Sequence, residues 1–207
     1  MAALADHPPT PSGHPQGAPT TRRRGRTLEQ AIFDAVIDQL QAVGYTGLTM
    51  EGVAACAQTG KAALYRRWPG KEDLVVDALD HALPSVEELP DHGDVRDDLL
   101  DLLRQMAAMV NSATGCALQC LLGEIDRDHP FARLLHERVF APRKQIFLAV
   151  LRRAADRGQV RAEAASQLVA EVGPALVAQR FLADGPPVPD AYVVSVVDDV
   201  VMPLLRP

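Results

Sequence analysis

Apolar residues recur every three or four positions along most of this chain, which is the spacing of amphipathic helices. The first such stretch runs from about residue 27 to residue 43. Thr27 and Gln30 predict a capping box at its start, and Gly44 and Gly47 predict its end. Its apolar positions are Leu28, Ile32, Ala35, Val36, Leu40 and Val43.

Short helices follow between residues 49 and 83. Thr49 predicts the N-cap of a second helix. After a turn near 57–59, a third helix is predicted over about 60–68 and a fourth over about 71–83. Two short helices joined by a tight turn form the unit that fits a DNA major groove. We therefore predict a DNA-binding head of three helices within residues 22–83, with the helix-turn-helix at 49–68.

The remainder predicts a second, all-helical domain at residues 94–207, after a linker at about 84–93. Its helices are expected at about 94–112, 116–126, 130–157, 163–183 and 190–205. Pro142 predicts a kink in the third of these. The valine pairs at 193–194 and 196–197 are compatible with a strand, but the spacing around Asp198 and Asp199 fits a helix better. The expected fold is all-α, with about nine helices.

The charge is unevenly distributed, although the net charge is −6. Residues 20–71 hold eight basic and four acidic residues, whereas residues 72–207 hold 13 basic and 22 acidic ones. A basic N-terminal unit can meet phosphates while an acidic body stays clear of them. Residues 1–21 have the composition of a disordered tail. The basic run that follows them is either a solvated charge run or an arm lying on DNA, and the adjacent helix-turn-helix favours the arm.

Several classes of protein are disfavoured. No apolar run is long enough to span a bilayer, and the N-terminus lacks a secretory signal. Three cysteines without framework spacing indicate a reducing cytoplasm. The sequence contains no catalytic, metal-binding or cofactor motif. A metalloprotease box that begins at His136 fails, because its second histidine would be at position 140, where the chain has Phe140. Cys116 and Cys120 are one helical turn apart; two small buried residues are the simpler interpretation, and a sensor is the alternative.

The third helix would place small and basic residues against DNA. Small residues allow close approach to base edges, Tyr65 can donate its hydroxyl to a phosphate, and lysines can bracket the groove. Leu64 and Trp68 are expected to point into the core. The predicted DNA-binding residues are Arg22, Arg23, Arg24, Arg26, Thr49, Lys61, Ala62, Ala63, Tyr65, Arg66, Arg67 and Lys71.

Residues 27–83 resemble the tetracycline-repressor (TetR) family of bacterial regulators. The resemblance rests on Thr49, Val53, Ala54, Ala57, Leu64, Tyr65, Trp68, Pro69, Lys71, Glu72 and Leu74, preceded by Gly44-Tyr45 and Gly47. The chain departs from the family pattern where Gln58 replaces a usual Gly, Gly60 replaces Ser or Thr, and Ala63 replaces a frequent Thr or Ser. Gln58 must then adopt a conformation that Gly tolerates better, at a cost of about 1 kcal/mol.

The resemblance implies a homodimer whose C-terminal domain binds a ligand and dimerises. Residues 129–160 are similar to the long helix of one C-terminal subtype. The last two helices would form a four-helix interface with a second copy, although the same apolar residues could simply close the monomer core. The predicted interface residues are Leu168, Val172, Ala175, Leu176, Val196, Val197 and Val200. The predicted pocket residues are Met106, Met109, Leu121, Phe131, His136, Phe140 and Phe147, whose apolar spacing is equally that of a core.

The sequence thus predicts a DNA-binding transcriptional regulator, a repressor released by a ligand, and not an enzyme. Its expected partners are a palindromic double-stranded DNA operator, a second copy of the chain and an unidentified small-molecule effector, without membrane association. Its expected place is the bacterial cytoplasm, at the nucleoid when bound to DNA. The alternative is a helical small-molecule-binding protein with impaired DNA binding, in which the changes at Gln58 and Gly60 reflect decay. Retention of the basic run at 22–26, Lys61, Tyr65 and Lys71 favours the regulator.

Overall fold

The computed structural model describes residues 26–85 and 89–206, and every regular element in these ranges is helical. Counting a helix interrupted by a π turn as one, they hold nine helices, which confirms the predicted all-α fold. The helices are α1 (Arg26–Gly47), α2 (Met50–Cys56), α3 (Lys61–Tyr65), α4 (Lys71–Ala82), α5 (Val95–Val110), α6 (Ala113–Glu124), α7 (Pro130–Leu135), α8 (Ala141–Asp156), α9 (Gln167–Asp184), α10 (Asp190–Ser195) and α11 (Met202–Leu205). None of them alone is long and apolar enough to cross a bilayer; α5 and α6 pass that test only as a pair bent by 73°.

The start of α1 differs from the prediction. The helix begins at Arg26, so Thr27 lies inside it, and the Gln30 side chain donates to Asp34 and contacts His81. The predicted capping box between Thr27 and Gln30 is therefore wrong. Near its other end α1 breaks at Gly44, whose φ of 69° lies in the left-handed region that favours glycine.

Two long helices each contain a π turn just before a proline. The π turn His136–Phe140 joins α7 to α8 and precedes Pro142, and the π turn Val196–Val201 joins α10 to α11 and precedes Pro203. A proline has no N–H to donate and its ring crowds the carbonyl of the preceding turn. Just before each proline the turn is wider, since the Ala141 N–H donates to the His136 carbonyl and the Met202 N–H donates to the Val197 carbonyl, each five residues back. The irregularity predicted at Pro142 takes this form.

The buried apolar residues form two cores. The first, here called the N-terminal core, contains the inward side chains of α1–α4 together with residues of α6, α7 and the first π turn. Its members from outside the head are Ala117, Leu118, Leu121, Phe131, Leu135 and Val139. The second contains the inward side chains of α5, α8, α9, α10 and α11. The predicted boundary after residue 83 therefore does not coincide with the division between the two cores.

Candidate functional site

The helix-turn-helix is formed by α2, a tight turn and α3. The hydroxyl of Thr49 accepts a hydrogen bond from the Gly52 N–H at 3.0 Å and caps α2. α2 ends in a turn in which Thr59 N–H donates to Ala54 O and Gln58 N–H donates to Ala55 O. This is the Schellman pattern, which needs a left-handed residue at its centre. Gln58 supplies that residue with a φ of 53°.

Two buried side chains hold α3 on the scaffold. Leu64 is completely buried and Trp68, just beyond the helix, is 3% exposed. The Trp68 indole N–H donates to the Asp77 carboxylate at 2.8 Å, which ties the end of the helix-turn-helix to α4. Both were expected to face the core, and both do. As a result the opposite side of α3, with Lys61, Ala62 and the half-exposed Tyr65, faces solvent.

The predicted basic contacts have different surroundings. Lys61 forms an ion pair with Glu51 of α2 at 3.0 Å, and its hydrogen bond to that carboxylate lowers the pKa of Glu51. Arg67 reaches Glu29 of α1 at 3.3 Å. Arg66 is exposed and makes no ion pair within the described ranges. Exposed pairs of this kind are weak, so these side chains remain free to exchange their partners for phosphates.

Lys71 has a structural environment that the sequence did not indicate. Its ammonium donates to the carbonyl of Tyr45 at 3.0 Å and lies 4.2 Å from the centre of the Tyr45 ring. The side chain is half-buried and points to the end of α1. In this arrangement Lys71 braces the scaffold and does not project toward solvent beside α3, as bracketing a groove would require. A role in binding phosphate stays a prediction.

The remaining predicted DNA-binding residues are only partly described. Thr49 and Ala62 are exposed and Ala63 is half-buried. Arg26 begins α1, but its side chain lies outside the described part of the structure, as do Arg22, Arg23, Arg24 and the predicted tail at 1–21. Their roles remain predictions.

Tyr45, near the end of α1, ties this helix to α4 within the head and to α7 outside it. Its ring is 8% exposed and stacks on Phe131 of α7, with ring centres 4.8 Å apart and an angle of 7° between planes. Its hydroxyl donates to Glu72 of α4 at 3.0 Å. Burial, together with the neighbouring Glu72 carboxylate, raises the pKa of Tyr45. The tyrosine therefore stays protonated and acts as a structural joint between helices.

Glu124, the last residue of α6, makes a second joint. Its carboxylate accepts the backbone N–H of Thr46 at 2.8 Å, and this hydrogen bond is the main reason that the pKa of Glu124 lies below its usual value. A Cβ at Gly44 would collide with the same carboxylate. Glycine at 44 thus permits both the left-handed backbone and the close approach of α6. Sequence reasoning missed this contact, because an exposed glutamate at the end of a helix has no distinctive pattern.

A cavity of about 500 Å³ lies between α5, α6, α8 and α9 and reaches the end of α4. Met106, Met109, His136, Phe140 and Phe147 line it. The other two predicted pocket residues lie elsewhere, since Leu121 and Phe131 are buried in the N-terminal core. Their apolar spacing indicated burial and could not separate a cavity wall from a core. The further lining residues, which were not predicted, include Leu83, Leu102, Gln105, Leu122, Arg143, Lys144, Ile146, Glu171, Pro174, Ala178, Phe181 and Leu182.

The charged residues of the cavity wall are paired. Arg143, whose side chain is 18% exposed, donates to the Asp80 carboxylate at 3.0 Å and to the Asp80 carbonyl at 3.1 Å. Lys144 lies 3.6 Å from Glu171 of α9. A hydrogen bond from Gln167, followed by the nearby Lys144, lowers the pKa of Glu171. Arg143 therefore connects the cavity directly to α4 of the head.

The predicted interface residues do not all lie on a free surface. Leu168 of α9 is 77% exposed, and Val200 is 37% exposed. Val196 and Val197 are buried in the second core, where they close the monomer. The periodicity of the last helix marked its apolar side correctly but did not show which neighbour covers it. For these two valines the alternative interpretation, closure of the monomer core, fits the structure.

The cysteines are free thiols in the described structure. Cys56 and Cys120 are exposed, and Cys116 is half-buried. The expectation that Cys116 and Cys120 are both small buried residues is wrong for Cys120, because position 120 of α6 lies outside the stripe that packs on α1. Within the described ranges, no three His, Cys, Asp or Glu residues are grouped to hold a metal.

Comparisons with known proteins decide the family. The family model for the tetracyclin repressor-like C-terminal domain matches residues 89–200, and the model for bacterial regulatory proteins of the tetR family matches residues 32–78. The chain belongs to the TetR family. It is a transcriptional regulator with a helix-turn-helix DNA-binding domain and a ligand-binding C-terminal domain. TetR-family regulators bind DNA operators and typically act as dimers with small-molecule effectors.

Individual relatives agree with this assignment. An uncharacterized HTH-type transcriptional regulator of Mycobacterium tuberculosis is 32% identical over 206 residues, covering 99% of this chain and 96% of that protein. The DNA-binding transcriptional repressor TetR of Mycobacteroides abscessus is 30% identical over 185 residues, covering 89% and 97%. The solved structure of the TetR-family regulator SCO0332 is 31% identical, with a TM-score of 0.66, and covers 84% of this chain and 97% of that one.

Proposed function

We propose that this TetR-family regulator is a repressor that binds a palindromic operator as a homodimer and is released by a small-molecule effector. The observation that carries the proposal is the arrangement of α3. Leu64 and Trp68 fix the helix from behind, and its other side presents a lysine, an alanine and a tyrosine to solvent. A regulator of this kind works in the bacterial cytoplasm, on the chromosome.

The exposed side of α3, here called the reading surface, carries residue types that contact DNA bases and phosphates. Ala62 leaves room for the helix to approach base edges, while Lys61, Tyr65 and Arg66 carry donors for phosphates and bases. The ion pair between Lys61 and Glu51 is exposed on both sides, so DNA can compete for the lysine. Leu64 and Trp68 keep the helix from rotating when it does so.

A second copy would dock on the free faces of α9 and the C-terminal helix. Leu168 is mostly exposed, and Val172 and Leu176 are half-buried on the same helix. Ala175 is exposed and also lines the cavity, so the proposed interface borders the cavity. Val200 and Leu204 are also partly exposed apolar residues, each at 37%, and would join the interface from the last helix. Such exposed apolar area marks an interaction site. A charge on this surface, as in Leu168→Asp, should give a monomer in light scattering and abolish operator binding. A dimer that binds normally would place the interface elsewhere.

The cavity is suited to the effector because its wall includes the end of α4. Leu83 lines it, and Arg143 holds both the side chain and the carbonyl of Asp80. A ligand that moves Arg143 would therefore shift α4, which carries Trp68 through Asp77. A coupling of this type is typically worth about 1–3 kcal/mol. We infer that occupancy of the cavity changes the spacing of the two heads in the dimer.

The test is a mobility shift on the intergenic DNA upstream of the gene. The double variant Lys61→Ala with Tyr65→Ala should lose about 1–3 kcal/mol of binding free energy. Arg152→Ala is the matched control, because Arg152 is an exposed cation on α8, away from the head, without an ion pair within the described ranges. Equal losses for both variants, or none, would contradict the proposed reading surface. Affinity should also fall steeply with salt while operator and random DNA remain distinguished.

The alternative, a small-molecule-binding protein with weakened DNA binding, is favoured by three features of the helix-turn-helix. Gln58 has a left-handed backbone, Gly60 gives α3 no side-chain cap, and Lys71 is directed to Tyr45. If the wild-type dimer fails to shift any DNA at low salt, Gln58→Gly separates the two cases. A shift gained by that variant would support the alternative, and continued failure would point to an operator elsewhere on the chromosome.

A further inference from the structure

The charges around the cavity say which class of molecule it can hold. Most of its wall is aliphatic or aromatic, with methionines from α5 and phenylalanines from the first π turn, α8 and α9. Its volume of about 500 Å³ lies within the ~300–1,000 Å³ range of small-molecule sites. Leu122 and Leu182, which are 44% and 57% exposed, continue the apolar lining to the outside.

Each of the three formally charged lining side chains already faces an opposite charge. Arg143 is neutralised by Asp80 at 3.0 Å, and Lys144 and Glu171 neutralise each other at 3.6 Å. A carboxylate entering this space would leave water without meeting an unpaired cation, and burying an unpaired charge is costly. To gain a partner it would have to displace Asp80 or Glu171 and leave that group without its cation.

One hydrogen-bond donor of a lining residue nevertheless has no partner. The Nε–H of Arg143 is buried and has no hydrogen-bond partner within the described structure. A buried donor of this kind is normally satisfied by an acceptor. A neutral acceptor, such as a carbonyl or ester oxygen placed beside Arg143 after a small movement, can bond the guanidinium without competing with Asp80 for its charge.

We propose that the cavity selects uncharged, mainly apolar molecules that carry a carbonyl or ester oxygen, and discriminates against their carboxylate analogues. The inference rests on the proposed function in one respect, since it treats this cavity as the effector site. It assigns the discrimination to the Arg143–Asp80 and Lys144–Glu171 pairs.

The experiment uses the whole 207-residue chain and a neutral fluorescent probe, N-phenyl-1-naphthylamine. Methyl decanoate and decanoate, which share one acyl chain and differ in charge, are compared as displacing molecules. Methyl decanoate should displace the probe at a concentration at least tenfold lower, as the charge argument requires. Equal or better displacement by decanoate would overturn the proposal.

Two charge variants test the cause of the discrimination. Asp80→Asn leaves Arg143 unpaired, and Glu171→Gln does the same for Lys144, with little change of shape in either case. Decanoate should gain at least tenfold in affinity for the Asp80→Asn variant and a smaller factor for Glu171→Gln, because Lys144 is the more exposed cation. Methyl decanoate should change by less than about threefold. No gain for decanoate in either variant would show that the pairs do not exclude it.

A cavity-filling variant ties binding to this site. Ala178→Trp on α9 places a large ring in the wall, whereas Ala183→Trp adds the same ring at an exposed position outside the lining. Only the first should lose probe binding, provided that both keep wild-type helical content. Loss in neither variant would place the probe at another site and overturn the proposal. Because displacement needs no DNA, its result is independent of the mobility shift, and failure of one does not imply failure of the other.

Discussion

Replacing Gln58 by glycine should stabilise the protein, although it removes a side chain. Gln58 ends α2 in the left-handed region, with a φ of 53°. A side chain with a Cβ costs roughly 1–2 kcal/mol in that conformation. The Gln58 side chain is exposed and makes no hydrogen bond within the described structure, so its removal forfeits little.

The gain is reduced by the unfolded chain. Glycine is more flexible when unfolded, which costs about 0.5–1 kcal/mol. The net effect of Gln58→Gly is therefore a stabilisation of about 0.5–1 kcal/mol, equivalent to about 1–4 °C in Tm for a chain of this size. Urea unfolding followed by circular dichroism, at one fixed protein concentration, measures it.

Gln58→Ala is the control that isolates the backbone conformation. Alanine also lacks the glutamine amide but retains the Cβ, so it should not share the stabilisation. If alanine stabilises as much as glycine, the effect comes from the lost side chain and the strain argument is refuted. An unchanged urea midpoint for Gln58→Gly would also refute the strain argument.

Three further substitutions test the joints of the head. Gly60→Ser should stabilise by a few tenths of a kcal/mol in urea unfolding, because Gly60 has an extended backbone, open space at its Cβ and no cap for α3; destabilisation would show that serine cannot cap there. Leu64→Ala should lower the free energy of unfolding by about 2–5 kcal/mol and abolish the mobility shift, because the Leu64 side chain is completely buried. An unchanged urea midpoint would argue against its anchoring role. Glu124→Gln should lower the free energy of unfolding at neutral pH, and its difference from the wild type should shrink on acidification. The pKa of Glu124 is lowered in the folded state, so its charge stabilises the fold above the ordinary value of 4.5. This contribution is lost as the pH falls through the folded-state pKa. A deficit that stays constant from pH 7 to about pH 3 would show that the Glu124 charge is not involved.

The fold was predictable because helices are specified by residues that are close together in the sequence. The three-to-four-residue spacing of apolar positions, Thr49 as a cap and the prolines are all signals carried by neighbouring residues. The left-handed backbone at Gln58 was also expected, but only through the family resemblance. The capping box at Thr27 failed because one more helical residue, Arg26, precedes it.

The partners of charged and apolar side chains were less predictable, because they come from distant parts of the chain. Lys71 was predicted to contact phosphate, but its ammonium donates to the carbonyl of Tyr45, 26 residues earlier in the chain. Arg143 and Asp80 are 63 residues apart, so no local pattern links them. Leu121 and Phe131 were predicted to line the pocket, and Val196 and Val197 to form the interface, but all four are buried in the cores. Periodicity marks an apolar side of a helix and does not show whether core, ligand or a second copy covers it.

The placement of α6 and α7 residues in the N-terminal core limits how such regulators can be recombined. A head excised after residue 83 would lose Leu118, Leu121 and Phe131 and expose the apolar surface they cover, so it would not be an independent folding unit. A chimaera that grafts this head onto the sensor of a relative must transplant the matching face of α6 and α7, together with Glu124 opposite Gly44. The unit of exchange in protein engineering is therefore discontinuous in sequence, and DNA specificity and effector specificity cannot be recombined by a single crossover in the linker.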